Sequence, residues 1–256
     1  MMSDTKPEAQ KCVCGKMVEP MWIAPIMKNG ILMPFTGKWA KLGNQCDECY
    51  EKEVAADDKR REQELKAEQM ARAGLQDAYI QSLSFKAFTQ DTGGRKGIAA
   101  KVKPLYTEAK KTGVVKNLFL SGPAGTGKTM LGVSFVKMAM AVKRSVYFCS
   151  VPEMVIKLRS ETFRNRQREE IDRLVNHDVL CLDDLGAEKT TDWVNEAIYL
   201  IIDKWYRQMR GGLIITTNLT LGQVSERFGD RLASRMAGMC EVIDFSECPD
   251  WRIHGR

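Results

Sequence analysis

From about residue 76 onward the 256-residue chain alternates short apolar runs with longer stretches of mixed polarity. The runs at 117–121, 145–150, 179–183, 213–218 and 241–245 are mostly apolar rather than alternating, which is the pattern of strands buried on both faces. The intervening segments 128–142, 152–160, 166–176, 191–210 and 221–237 have the length and spacing of helices. Strands that alternate with helices predict a doubly wound α/β domain with a largely parallel sheet and flanking helices. Upstream, 51–75 mixes both charges with Ala, Leu and Gln, and several opposite charges stand four apart. It predicts a solvated connecting helix that stops near Gly74, with no apolar heptad to make it a coiled coil. Residues 1–50 carry Cys, Met, Trp, Gly and Pro in short runs and read as a small loop-and-strand module. The expected division is a module at 1–50, a helical linker at 51–79 and an α/β domain at 80–256.

Composition changes this picture little. Hydrophobic residues at 44% and charged residues at 28% are ordinary for a globular chain. A net charge of +6 permits contact with nucleic acid without requiring it. The opening MMSDTKPEAQ has no apolar centre, so no signal peptide is expected there. No apolar run approaches the ~20 residues that span a bilayer. A cytoplasmic protein with no membrane partner is the expectation, and its thiols stay reduced there. Cys149, Cys181 and Cys240 fall in or beside strands and read as small core residues.

Chemistry concentrates where the first strand meets the first helix of the α/β region. Gly122, Pro123, Ala124, Gly125, Thr126, Gly127, Lys128 and Thr129 form a G-x-x-x-x-G-K-[ST] loop after a strand and before a helix. Its glycines let backbone N–H groups curl around phosphates, and the helix N-terminus adds positive potential. Lys128 is placed to neutralise the β- and γ-phosphates of ATP, and Thr129 to bring its hydroxyl to Mg²⁺. The run VLCLDDLG ends in Asp183, which can hold the metal through water, and in Asp184, which can polarise an attacking water. A kinase needs no such second acid, so the pair favours ATP hydrolysis. Aspartate is one methylene shorter than the glutamate usual there, and slow turnover is expected. Asn218 closes the next strand and is placed to sense the γ-phosphate and orient water.

Two tight cysteine pairs, Cys12/Cys14 and Cys46/Cys49, stand about thirty residues apart. Four thiolates complete a tetrahedron around Zn²⁺ with no ligand from elsewhere and no open catalytic position. So small a module has little core, and the metal would supply its stability. Met17, Met21, Trp22, Ile26, Met27, Met33, Phe35 and Trp39 lie between the pairs. Some should pack beneath the metal and others should face a partner.

Together these elements resemble the AAA+ ATPases, and more closely the bacterial and phage replicative helicase loaders of the DnaC and DnaI type. Three segments carry the closer resemblance: LCLDDLGAEKTTDW at 180–193, ETFRNRQREEIDRLVNHD at 161–178 and FGDRLASRMAGMCEVIDF at 228–245. It covers roughly 80–253, and the IstB-type transposition ATPases share most of it. The loader resemblance implies an ATPase that delivers a hexameric replicative helicase to single-stranded DNA. It implies that Arg235 is a finger reaching a neighbouring subunit's γ-phosphate, with Arg231 as rival, and hence self-association. It implies a second nucleotide-sensing arginine at Arg252, after which no sizeable lid domain follows. It also implies DNA contacts by Phe163, Arg164, Thr191 and Trp193, with Arg166 and Arg168 supplying further charge. A zinc module resembles the DnaI type, where it grips the helicase. A transposition ATPase acting with a transposase, and a P-loop kinase with an accessory zinc domain, stay open as alternatives.

Overall fold

The computed structural model describes residues 2–3, 6–28, 31–32, 38–40, 45–90, 95–160, 164–189 and 191–254. The chain divides into two compact units, Met1–Glu68 and Gln69–Arg256.

The first unit holds short strands: β1 (Met2–Ser3), β2 (Gln10–Lys11), β3 (Met17–Val18), β4 (Met21–Ile23), β5 (Met27–Lys28), β6 (Ile31–Leu32) and β7 (Lys38–Ala40). β7 pairs antiparallel with both β1 and β4, while β2–β3 and β5–β6 are small hairpins. Helix α1 (Asp47–Arg72) follows, with Asp47 and Glu48 in its first turn and Arg72 in its last, signs that suit the helix dipole. No residue of α1 is buried, as its all-round polarity requires. The chain turns at Gly74, whose φ of 74° lies in the left-handed region. A Cβ there would come 2.0 Å from the Phe148 carbonyl oxygen, so only glycine fits.

In the second unit, α2 (Ala78–Ser82), α3 (Phe85–Gln90) and α4 (Lys96–Thr112) precede the sheet. Its strands are β8 (Leu118–Ser121), β9 (Val146–Ser150), β10 (Val179–Leu185), β11 (Leu213–Thr217) and β12 (Glu241–Asp244). They pair in parallel in the order β12-β8-β11-β10-β9. The expected doubly wound α/β architecture is therefore present, and each strand lies within a residue or two of its expected bounds. Alternate side chains feed two cores. Leu118, Leu120, Cys181, Ile214 and Ile243 pack on one face, with α5 (Lys128–Ala141) and the preceding helices. Phe119, Leu180, Leu182, Leu213 and Ile215 pack on the other. That second face is covered by α6 (Val151–Ser160), α7 (Arg164–Val175), α8 (Asp192–Arg207), α9 (Leu221–Phe228) and α10 (Asp230–Met239).

The single helix expected over 221–237 is two helices. Gly229 takes φ 93° between α9 and α10, and its N–H closes α9 on the Ser225 carbonyl. Thr220 and Gln223 form a reciprocal capping box at the start of α9. A short α11 (Trp251–His254) follows the last strand.

Candidate functional site

β8 delivers the chain directly into the glycine-rich loop, and α5 opens at Lys128. Gly122, Gly125 and Gly127 have φ of 135°, 73° and 99°, the conformations that turn the loop. The Thr126 hydroxyl donates to the Pro123 carbonyl at 2.9 Å and braces the curl, while Pro123 and Ala124 face solvent. Buried Lys128 donates from Nζ to the Gly122 and Pro123 carbonyls, each at 2.7 Å, and to Asn218 Oδ1 at 2.9 Å. The residue that follows β11 is thereby brought against the loop lysine.

The two acids sit across the same cleft. Asp183 is 6% exposed and accepts from the Thr129 hydroxyl at 3.1 Å and the Thr216 hydroxyl at 2.6 Å. Burial pushes its carboxyl up to about 6, with Asp184 adding to the rise and the two hydroxyls and Lys128 opposing it. Asp184 is exposed and has φ 56°, a conformation that Asp tolerates better than most residues. The β10–β11 register slips by one residue there, from Leu182↔Ile215 to Leu185↔Thr217. This bulge turns the second acid out of the sheet.

A cleft of about 230 Å³ joins these groups: Lys128, Thr129, Asp184 and Asn218 line it, with Tyr79, Arg95 and Trp251. Nothing in the sequence marked the last three. Arg95 is 3% exposed, with its guanidinium carbon 5.1 Å from the ring centres of both Phe88 and Trp251. The Trp251 N–H donates to the Gly125 carbonyl at 3.0 Å, which ties α11 to the loop. A Cβ on Gly125 or Gly127 would meet the side-chain ends of Asp250 or Arg95, which can shift, so it is the positive φ that calls for glycine at both positions. The backbone of Arg252 lies in α11, and its side chain lies outside the described residues.

Arg235 and Arg231 share α10 but not an environment. Arg235 Nη2 lies 2.6 Å from Asp203 Oδ1, and its guanidinium lies over Tyr199 at 4.8 Å and Tyr206 at 5.7 Å. Those three partners belong to α8 of the same subunit, so Arg235 is tied inward. Arg231 is exposed and has no ion pair among the described residues.

Near the start of α8, Thr191 caps the helix by accepting the Val194 N–H, and it also accepts from Arg159 Nη2 at 3.3 Å. The Arg159 guanidinium lies 5.4 Å from the Trp193 ring centre. Trp193 borders a groove with Gln167, Arg168 and Glu196. Phe163 lies outside the described residues, as does the side chain of Arg164.

In the first unit, the Sγ atoms of Cys12, Cys14, Cys46 and Cys49 all lie within 4.8 Å of one another. A tetrahedral zinc site with Zn–S of ~2.3 Å has S–S edges of about 3.8 Å, so the four thiols fit that ion. Backbone N–H groups of Cys14 and Cys46 hold the Cys12 thiol down to about 6, while hydrogen bonds with the neighbouring thiols push Cys49 up to about 12, so Cys12 is the readiest of the cluster to offer a thiolate. An ion pair of Lys16 with Glu48 at 2.5 Å braces the same corner. Met17, Met21, Trp22, Ile26 and Met27 are exposed. Met33, Phe35 and the Trp39 side chain lie outside the described residues. No helix among the described residues is long and apolar enough to cross a membrane.

Compared with known proteins, residues 41–245 match the family described as IstB-like ATP binding protein. The chain belongs to the IstB-like ATP-binding family. ATP is therefore the ligand of the P-loop, and the Thr129–Asp183 pair has the hard-oxygen character that suits Mg²⁺ beside it. This IstB-like chain is 32% identical to the replicative helicase loader DnaI of Bacillus subtilis over 88 residues, 34% of this chain and 28% of that one. It is 30% identical to the insertion sequence IS5376 ATP-binding protein of Geobacillus stearothermophilus over 115 residues, 45% of each. The chain thus spans less than half the length of these curated relatives. Among solved structures, the DnaC helicase loader superposes with a TM-score of 0.55 at 24% identity, covering 66% of this chain and 99% of that one. The initiator DnaA bound to AMPPCP and single-stranded DNA gives 0.52 at 21% identity, covering 64% and 49%. These likenesses establish the AAA+ fold.

Proposed function

We propose that this protein hydrolyses ATP and acts as a helicase loader, gripping a hexameric replicative helicase through a zinc-bearing N-terminal unit and delivering it to single-stranded DNA. The observation that carries this reading is the pairing, in one chain, of an IstB-like ATP site with a four-cysteine cluster that fits zinc. The match to DnaI supports it. Bound Mg²⁺ would offset the charge that develops on the phosphates. Lys128 leaves its loop carbonyls to neutralise the β- and γ-oxygens. Thr129 and Asp183 would hold the Mg²⁺ through their oxygens. Asp184 orients the attacking water, and Asn218, already bonded to Lys128, aligns that water with the γ-phosphate. An arginine from a neighbouring copy completes the site. Being exposed, Arg231 suits that role better than Arg235. The Arg159–Trp193 pair offers a base-stacking face beside positive charge for a single strand.

A second reading, a transposition ATPase acting with a transposase, is favoured by the IS5376 relative, which matches at nearly the same identity as DnaI. The deciding experiment is affinity capture from the source cell with the full chain as bait and zinc retained. Recovery of a hexameric helicase, lost on zinc chelation, is expected. Recovery of a transposase instead selects the second reading.

A further inference from the structure

The bulge at Asp183–Asp184 raises a hydrogen-bonding question that the acids alone do not answer. One extra residue on β10 faces β11 there, so the regular ladder cannot satisfy the Asp184 N–H. Instead that N–H donates to the Thr216 hydroxyl at 3.0 Å. The same hydroxyl gives its own proton to Asp183 Oδ1 at 2.6 Å. One buried oxygen, 0% exposed, thus accepts from the backbone of one acid and donates to the carboxylate of the other. Its neighbour Thr217 re-anchors the strand beyond the bulge by donating to the Leu185 carbonyl at 2.6 Å.

We infer that Thr216 is a positioning residue for ATP hydrolysis: its single hydroxyl locks the bulge that aims Asp184 into the cleft and fixes Asp183 toward the metal. The inference rests on the hydrolytic reading above. Two independent contacts make the hydroxyl, and not the side-chain bulk, the working part. Valine would fill the same space in the strand, but it would leave the Asp184 N–H without its acceptor and Asp183 with Thr129 as its remaining hydroxyl donor. Serine would keep both contacts. Lys128, the phosphate-binding residue, is held by the Gly122 and Pro123 carbonyls and Asn218, contacts that either change at Thr216 leaves in place.

The test compares Thr216→Val and Thr216→Ser in the full chain. Mn²⁺ affinity is read by the loss of the free-ion EPR signal in the presence of a non-hydrolysable ATP analogue. Affinity for the analogue without metal, and ATP turnover, are measured alongside. Outer-shell partners of metal ligands contribute about 10–100-fold. The valine variant should lose about that much Mn²⁺ affinity and turnover while its metal-free nucleotide affinity stays within about twofold, and serine should restore both losses to within about threefold. A valine variant with unchanged Mn²⁺ affinity overturns the inference. So does a serine variant as defective as valine, a comparison that holds even if valine weakens the fold. If the unaltered protein turns over no ATP, the hydrolytic reading fails by itself, and the Mn²⁺ comparison still decides the role of Thr216.

Discussion

Replacing Arg235 by alanine separates a structural arginine from a catalytic one. Arg235 is 21% exposed and its partner Asp203 is 9% exposed, so the pair is largely shielded from solvent. Breaking a buried pair by removing one member typically costs about 3–5 kcal/mol, because the other charge is stranded. Here Asp203 is not stranded, since Arg207 Nε stays 2.8 Å from its other oxygen. The Arg235 approach is close but poorly aligned: Asp203 Oδ1, 2.6 Å from Nη2, accepts no hydrogen bond among the described residues, and Nη1 finds no acceptor there. These features bring the ionic loss below that range, to about 1–2 kcal/mol. The contacts with Tyr199 and Tyr206 add about 0.5–1 kcal/mol. The expected total is about 2 kcal/mol, or a fall of about 4–8 °C in Tm for a unit of this size. Arg231→Ala, at an exposed position, should stay within about 0.5 kcal/mol of the unaltered protein. Urea denaturation with unchanged slope measures both. Turnover at rising protein concentration then locates the trans-acting arginine. Arg231→Ala should lose it while folded stability is retained. An Arg235→Ala protein of undiminished stability would refute the reasoning. If it also lost turnover, the finger would be Arg235.

Other expectations follow from the same contacts. Among the described residues of the first unit, burial is confined to Cys12 and Pro20. A zinc site contributing about 10–16 kcal/mol would therefore dominate its folding. Cys46→Ser should release zinc and raise hydrogen exchange over residues 6–28, leaving exchange in the ATP-binding unit unchanged; metal-free wild-type protein excludes the site. Asp183 has a folded pKa of about 6, above its ordinary 3.8, so its ionisation costs the fold its full penalty above pH 6, and that cost fades as pH falls from 6 to 4. The rise corresponds to about 3 kcal/mol. After the loss of one hydroxyl bond, Asp183→Asn should stabilise the nucleotide-free protein by about 1–2 kcal/mol at pH 7.5, with the gain shrinking toward pH 4. A less stable variant at pH 7.5 contradicts that. Trp193→Ala should weaken binding of a single-stranded oligonucleotide by about 1–3 kcal/mol, and Arg159→Ala should lower the salt slope by about 0.7; unaltered anisotropy titrations remove this face from the DNA path.

The elements of the sheet were legible because a strand buried on both faces must be apolar throughout, and β8, β10 and β11 are so until polar residues begin at their C-terminal ends. The glycine-rich loop was legible because its residue types are dictated by phosphate geometry. What the sequence did not reveal depends on long-range contact. Arg95 matters because Phe88, Trp251 and Gly127 converge on it from distant parts of the chain. Nothing in its own neighbourhood signals that. The inward tie of Arg235 depends on α8 presenting Tyr199, Asp203 and Tyr206, residues spaced three and four apart that form one face only once the helix exists. The break at Gly229 had a local signal, glycine followed by aspartate, but apolar spacing ran across it and outweighed the cap.

The bulge was the least legible feature, and it shapes the chemistry most. A regular β10 would alternate its two acids to opposite faces of the sheet, where only one could reach the cleft. The extra residue breaks that alternation and turns Asp184 into the cleft that Lys128 lines, while Asp183 stays against Thr129. The cost is a non-glycine residue at φ 56°, a displaced backbone N–H, and a carboxylate buried enough to rise to about 6. The Thr216 hydroxyl meets the second by accepting that N–H and opposes the third by donating to Asp183. The third is met when a divalent cation joins Asp183, because a cation favours the charged form that burial penalises. Nucleotide with Mg²⁺ would therefore both occupy the cleft and relieve its electrostatic penalty. The free energy of binding must then appear as added stability of this unit, which couples the state of the ATP site to any surface whose order depends on β10 and β11.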